Sequence, residues 1–409
     1  MISGESIPQL LVKRAETEPS ALVLRFFRQG KWNEVSVKAL VDRAAGIGGG
    51  LMSLGFVRGE VIAISSTDAP FLLAAEIGVQ GFGGVVLPLD PDLSPEQARE
   101  RLRAAGAAAV LAGDQEQFDK VDEAWSEVPQ IRVLVVDAIR GLRSLTEAGR
   151  DDADRRLTLA QLEQRGSAPI WYDKVCATQA SDDARVVAFG SNTQTHLGLL
   201  TQALALQERV KIDHHDQVVL MGSIANDREH LYAIVCACFA RAVLHFGRPG
   251  DAGHALRSVQ PTVVVGSMGW AQALASDIDR GAGPVRGVKA IALRAANRRV
   301  ESENSRLPRF PPTRIAGVSA AVAVLLFWLV TTSLHDGLRI LLAGLILLVF
   351  GAALVFSGRS VAGPLRSRSG LSRCRAALVP GWESGCLPSL HALQVPFLHD
   401  DLNVTEVDR

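Results

Sequence analysis

Apolar and polar positions follow two different rhythms over residues 1 to about 170. From Ser36 to Gly55, the residues Val37, Leu40, Val41, Ala44, Ile47, Gly48, Leu51 and Leu54 fall on one face of a 3.6-residue repeat. That window predicts an amphipathic helix, with Ser36 as its N-cap and Gly55 as its stop. The chain then turns at Arg58-Gly59-Glu60 into Val61–Ser65, an apolar run short enough to predict a buried strand. A helix over about 70–82 and a strand at Val85–Leu89 follow. Ser94-Pro95-Glu96-Gln97 supplies an N-cap, a proline in the first turn and a capping-box glutamine, opening a helix to about Gly106. Ala109–Leu111 and Arg132–Val136 read as further strands. Strands separated by helices in this order predict the α/β class, with a mostly parallel sheet covered on its faces.

The rhythm restarts at Arg185. Val186–Phe189, Gln217–Met221, Ala242–Phe246, Thr262–Gly266 and Val288–Leu293 read as strands, with helices near 199–210, 228–241, 251–258 and 268–280. Proline and charge then crowd residues 301–314, which read as a linker. Two uncharged apolar runs follow, Ile315–Leu334 and Ile340–Phe356, joined by a short polar turn. At ~1.5 Å per residue each run nearly spans a hydrocarbon core of roughly 30 Å. Arginines stand on both outer flanks, including Arg309, Arg314, Arg359 and Arg366. By the positive-inside rule this predicts a transmembrane helical hairpin with both flanks on the cytoplasmic side. The alternative is a buried core hairpin, against which the lack of a polar stripe argues. Cys374–Val379 and Val395–Leu398 resume the strand pattern, so the hairpin reads as an insertion. The expected divisions are an N-terminal α/β subdomain (1–175), a second α/β subdomain (176–300), the linker and hairpin (301–362), and a return to the second subdomain (363–409).

Composition adds constraints. The 409 residues carry 43 basic and 43 acidic side chains, so no net charge points to nucleic acid as a partner. The arginines beside the hairpin instead suit anionic membrane lipid. Five scattered cysteines, Cys176, Cys236, Cys238, Cys374 and Cys386, suit a reducing compartment without a disulfide framework or zinc site. The N-terminal stretch lacks the pattern of a secretory signal, which places the bulk of the chain, with both termini, on the cytoplasmic side of the membrane.

Several segments resemble the long-chain acyl-CoA synthetases, AMP-forming carboxylate ligases of the adenylate-forming superfamily. The opening SIPQLLVKRAETEP, the stretch LMSLGFVRGEVIAI and the stretch GFGGVVLPLDPDLSPEQARERLRAAGAAAVLAG carry the resemblance in the N-terminal half. DQVVLMGSIANDREHLYAIVCACFARAVLHF and GLSRCRAALVPGWESGCLPSL carry it further on. The resemblance implies that fold, with ATP, Mg²⁺ and coenzyme A as cofactors and a fatty acid as substrate. It also implies a phosphate-holding loop of pattern Tyr-Thr-Ser-Gly-Thr-Thr-Gly-x-Pro-Lys-Gly. The matching stretch here is Ala188–Gly198, which keeps Gly190, Ser191, Thr193, Thr195 and Gly198 but has Leu197 in place of the lysine. Read functionally this is a weakened nucleotide cradle, and read blandly it is a polar strand-to-helix loop. Leu402–Glu406 matches the family's Tyr-Gly-x-Thr-Glu element, so Thr405 is implied to contact the AMP phosphate and Glu406 to bind Mg²⁺.

Other positions depart from the pattern. Pro380-Gly381-Trp382-Glu383 replaces a Gly-Gly-Ala-Pro turn. Asn226 stands where the family has a histidine, and His230 where it has an arginine, with Glu229 kept. The chain stops at Arg409, where the family continues into a C-terminal lid carrying a lysine. Together these predict a truncated, membrane-anchored ligase-like protein with little or no ligase activity, and they assign no catalytic residue. An active ligase at the membrane surface, a non-catalytic scaffold for a protein partner and a gene fragment are the alternatives. Three other groupings read blandly: His214-His215-Asp216 as a solvated turn, Cys236-Ala237-Cys238 as core packing, and Gly46–Gly50 as a site of close helix packing.

Overall fold

A computed structural model describes residues 4–28, 30–123, 125–137, 155–186, 192–246, 252–282 and 366–379, together with Leu390, Leu393, Val395 and Phe397–His399. In chain order the elements begin with α1 (Ile7–Thr17), β1 (Leu22–Arg28), β2 (Lys31–Ser36), α2 (Val37–Ser53), β3 (Val61–Ser65), α3 (Ala69–Gly81) and β4 (Val85–Leu89). Next come α4 (Pro95–Ala104), β5 (Ala109–Ala112), α5 (Gln115–Asp122), β6 (Val133–Val136), β7 (Arg156–Thr158), α6 (Leu159–Arg165) and α7 (Ala168–Ala177). They continue with β8 (Asp183–Val186), β9 (Thr193–Thr195), α8 (His196–Val210), β10 (Gln217–Leu220), α9 (Asp227–Ile234) and β11 (Val243–Phe246). The last are α10 (Ala252–Val259), β12 (Val263–Val265), α11 (Met268–Ala282), β13 (Ala376–Val379) and β14 (Phe397–His399).

The described chain divides into two units, one holding residues up to His215 with Gly222–Phe246, the other Asp216–Met221 with the residues after Phe246. In the first, a seven-stranded sheet runs β7-β6-β5-β3-β4-β8-β9. Ile62 of β3 faces Val86 on one side and Ala109 on the other, both in parallel register. The β8–β9 pair is antiparallel. The expected mostly parallel, covered sheet is thus present, and its central strands β3, β4, β5 and β6 are almost wholly apolar because both faces are packed.

The close packing read from Gly46–Gly50 is explained by α2 crossing α3 and α7. A side chain at Gly48 would overlap the Trp171 ring and the Gly78 carbonyl, and one at Gly50 would overlap Leu162. Trp171 itself donates from Nε1 to the Gly78 carbonyl at 2.8 Å. Every residue of α3 is buried, Glu76 and Gln80 included. A helix apolar around its whole circumference has no solvent face to show, which is why its sequence lacks a polar stripe.

Besides β9, three strands of this unit were not evident from the pattern. β1 and β2 form an antiparallel hairpin about Gly30, which has φ +78°, and β1 also pairs in parallel with β11. β7 was likewise missed, being only three residues long.

The second unit holds four parallel strands in the order β14-β13-β12-β10. Val219, Val264, Ala377, Leu371 and Leu274 meet in its core. At the strand starts, the buried Arg375 donates to Asp216 at 2.7 Å, and the Thr262 hydroxyl donates to the same carboxylate at 2.6 Å. Asp216, read as part of a solvated turn, is therefore a buried anchor. His214 and His215 are the exposed part of that turn.

The linker, the predicted hairpin, the Pro380–Glu383 turn and the predicted strand Val288–Leu293 lie outside the described residues. Among the described residues, no helix is long and apolar enough to cross a membrane.

Candidate functional site

β8 ends at Val186 and β9 begins at Thr193, so only residues 187–192 separate them. The stretch read as one polar loop, Ala188–Gly198, is corrected accordingly: Thr193 and Thr195 lie on strand β9, and Gly198 lies in the first turn of α8. The strand forms because Asp183 and Val186 of β8 give it an antiparallel partner through Thr195 and Thr193. Thr195 then caps α8, its hydroxyl accepting from the Gly198 N–H at 3.1 Å. His196 is fully buried, and its Nδ1 accepts from the Ile7 N–H at 3.4 Å. Burial pushes its imidazole down to about 4, against the pull of Asp182 and Glu76. Leu197, at the position read as the family's lysine, is 44% exposed. Gly190, Ser191, Thr405 and Glu406 lie outside the described residues, so the structure brings together only Thr193, Thr195 and Gly198 of the expected set. Among the described residues, no group of three His, Cys, Asp or Glu side chains could hold a metal ion.

A second, charged cluster lies buried in the same unit. Arg185 on β8 is 1% exposed. Its Nη1 donates to Glu76 Oε1 at 3.0 Å and its Nε to Asp227 at 3.3 Å. Its Nη2 donates to the carbonyls of Ile224 and Ala225 at 3.2 and 2.7 Å. Glu76 Oε1 also receives His230 Nε2 at 2.8 Å and Gln80 Nε2 at 3.2 Å. Burial alone would raise the Glu76 carboxyl; His230 and Arg185 outweigh it and hold it down to about 2. The arrangement fixes Gly222–Asn226, the segment that carries Asn226 in place of the family's histidine.

Sequence reasoning passed over this cluster, although it left a signal. Glu76 interrupts the apolar run of α3, and Arg185 stands immediately before the apolar run Val186–Phe189. A charge inside a stretch that must be buried needs a partner of opposite sign, although the sequence does not say which residue supplies it.

A parallel sheet with flanking helices and a strand-to-helix junction at its edge defines an α/β fold of the kind found in adenylate-forming ligases. A solved long-chain-fatty-acid–CoA ligase from Archaeoglobus fulgidus shares it, with a TM-score of 0.55 at 11% identity, covering 68% of this chain and 55% of that one. Residues 11–297 match the AMP-binding enzyme family, and the chain belongs to it. It is 25% identical over 211 residues to the 2-succinylbenzoate–CoA ligase of Arabidopsis thaliana, covering 50% of this chain and 36% of that protein. It is 24% identical over 173 residues to the long-chain-fatty-acid–CoA ligase FadD15 of Mycobacterium bovis, covering 41% of this chain and 29% of that one. The matches thus span about a third of these curated relatives and about half of the solved ligase.

Proposed function

We propose that this protein is a membrane-tethered relative of the long-chain acyl-CoA ligases in which ATP-dependent acyl activation is reduced or lost. The observation that carries the reading is the junction between β8 and α8. Bringing a carboxylate to a triphosphate requires positive charge where the anions meet. From Asn192 to Gly198 the chain carries no lysine or arginine, and the one imidazole is buried and held down to about 4. The Thr195 hydroxyl already accepts from a helix N–H, and an apolar Leu197 stands at the helix entrance. These described side chains do not fit a triphosphate with its Mg²⁺. Arg185, the nearest buried guanidinium along the chain, holds Glu76 and Asp227.

The apolar runs Ile315–Leu334 and Ile340–Phe356 with their arginine flanks support attachment to anionic lipid with the flanks on the cytoplasmic face. Such attachment would hold a pocket for a fatty acid at the bilayer surface, whether the acid is activated there or only bound.

Calorimetric titration of the full chain in nanodiscs with ATP and Mg²⁺, alongside a pyrophosphate-release assay with a fatty acid, tests the proposal. No nucleotide binding tighter than millimolar and no release are expected. Tight binding with fatty-acid-dependent release would instead make it an active ligase.

A further inference from the structure

Four arginines fall within residues 366–375, soon after the second apolar run, and the structure sorts them into two kinds. Arg366 is 3% exposed, donating from Nε to the Leu371 carbonyl at 3.2 Å and from Nη2 to the Cys374 carbonyl at 2.7 Å. Arg375 is 5% exposed and donates to Asp216. Both are spent inside the second unit and offer nothing to lipid, although Arg366 reads as a membrane flank in the sequence. Arg368 and Arg373 are exposed, and among the described residues neither side chain has a hydrogen-bond or ion-pair partner. The bonds from Arg366 close residues 366–374 into one turn, so these two guanidinium groups rise from the same small stretch of surface. Gly370, at φ +75°, lets that turn lie directly on α10: a side chain there would stand 2.2 Å from the Leu256 carbonyl carbon and 2.3 Å from the Arg257 nitrogen. Arg257 is exposed as well and is likewise unpaired among the described residues. The structure thus adds a third cation, from distant sequence, to the two on the turn. Neither α10 nor residues 366–374 contain an acidic residue to neutralise them.

We propose that Arg257, Arg368 and Arg373 form the face on which the second unit docks to a bilayer carrying anionic headgroups. This docking presupposes that Ile315–Leu334 and Ile340–Phe356 form a membrane hairpin, and so rests on the function proposed above. Residues 357–365 separate the second apolar run from Arg366. A stretch of that length holds the turn within roughly 35 Å of the run's end. So short a tether keeps the cations near the headgroups, where a high local concentration makes weak electrostatic contacts count. Guanidinium groups without carboxylate partners keep their charge for lipid phosphate, which they can meet bidentately. Each basic residue at an anionic surface favours that surface by about fivefold.

The test places the full chain in nanodiscs of phosphatidylcholine, alone or mixed with phosphatidylglycerol, and follows arginine modification by p-hydroxyphenylglyoxal with peptide mass spectrometry. Phosphatidylglycerol should slow modification of Arg257, Arg368 and Arg373 several-fold, and high salt should restore it. Arg28, exposed on the first unit, is the control and should be unchanged. Arg257→Gln, on the exposed side of a helix, should weaken the protection of Arg368 and Arg373 while keeping the native urea midpoint. Inorganic phosphate added to phosphatidylcholine discs should give no protection; if it does, the face takes free anions and the docking is refuted. Equal slowing at Arg28, or protection of the turn that is undiminished in Arg257→Gln, would also refute it. A carbonate wash of vesicles holding the full chain separates the two readings. Retention in the vesicles, with equal modification in both kinds of disc, would overturn the docking face and leave the hairpin standing, whereas release would overturn the hairpin and the docking with it.

Discussion

Glu76 joins the buried charged groups of the first unit. It shares one carboxylate oxygen among Arg185, His230 and Gln80, in a helix where every residue is buried. Removing the Arg185 guanidinium leaves that charge to His230 and Gln80 and strips the Ile224 and Ala225 carbonyls of their donor. Arg185→Met is therefore expected to cost about 3–5 kcal/mol in urea denaturation, and adding Glu76→Leu to recover part of it. Acid stability follows from the same groups. Glu76 has a folded value of about 2 against an ordinary 4.5, so its contribution is full above 4.5 and lost as pH falls toward 2. His196 and His245 are pushed down by burial to about 4 and about 3 from 6.5. In that window the unfolded chain takes up the proton first, so stability falls as pH drops below about 6.5. The urea midpoint should decline from pH 6.5 downward and steepen below 4.5. His196→Asn, which keeps an acceptor for the Ile7 N–H, should flatten the upper limb; a midpoint level between pH 6.5 and 4 would refute this assignment.

Helices with a solvent face were legible from their apolar stripe and caps, and the wholly buried α3 from its place between two strands. The apolar stripe of α2 and the cap of α4 stood out, and Ser94 does accept from the Gln97 N–H at 3.2 Å. Ser94→Ala should cost about 1 kcal/mol by thermal unfolding. The glycine run was legible as packing because such a run inside a helical period has few other uses. Gly48→Ala would force a methyl against Trp171 and the Gly78 carbonyl, with a cost of about 1–3 kcal/mol or more. Retention of the native urea midpoint by that variant would mean that α2 and α3 do not approach as described. The β1–β2 hairpin was not legible, because Leu22–Arg28 and Lys31–Ser36 mix exposed and buried positions without strict alternation. The polar junction after β8 misled for a different reason: its hydroxyls and glycines are shared by loops, strands and helix caps, and only pairing with β8 decides among them. Arg185 and Asp216 needed tertiary partners from distant sequence, which periodicity does not report.

At the scale of the whole molecule, family and fold were readable from extended phrases of sequence, whereas attachment to a membrane rests on two runs of composition. If Ile315–Phe356 anchors the chain, its apolar area must be withdrawn from water by lipid, since neither run offers a polar face to solvent. The full chain should then stay with membranes through high-salt and alkaline-carbonate washes, which strip proteins held only by the arginine flanks. A chain with residues 301–362 replaced by a short glycine–serine linker should move to the soluble fraction. Its second unit should still form, because Arg375, Asp216 and Thr262 all lie outside the removed span and join β13 to β10 and β12. Arg375→Leu in that shortened chain separates the two questions. It should expose the second unit to proteolysis while the first, with its own sheet, remains resistant. Release of the full chain by carbonate would exclude a spanning anchor and leave the apolar runs to be buried within protein.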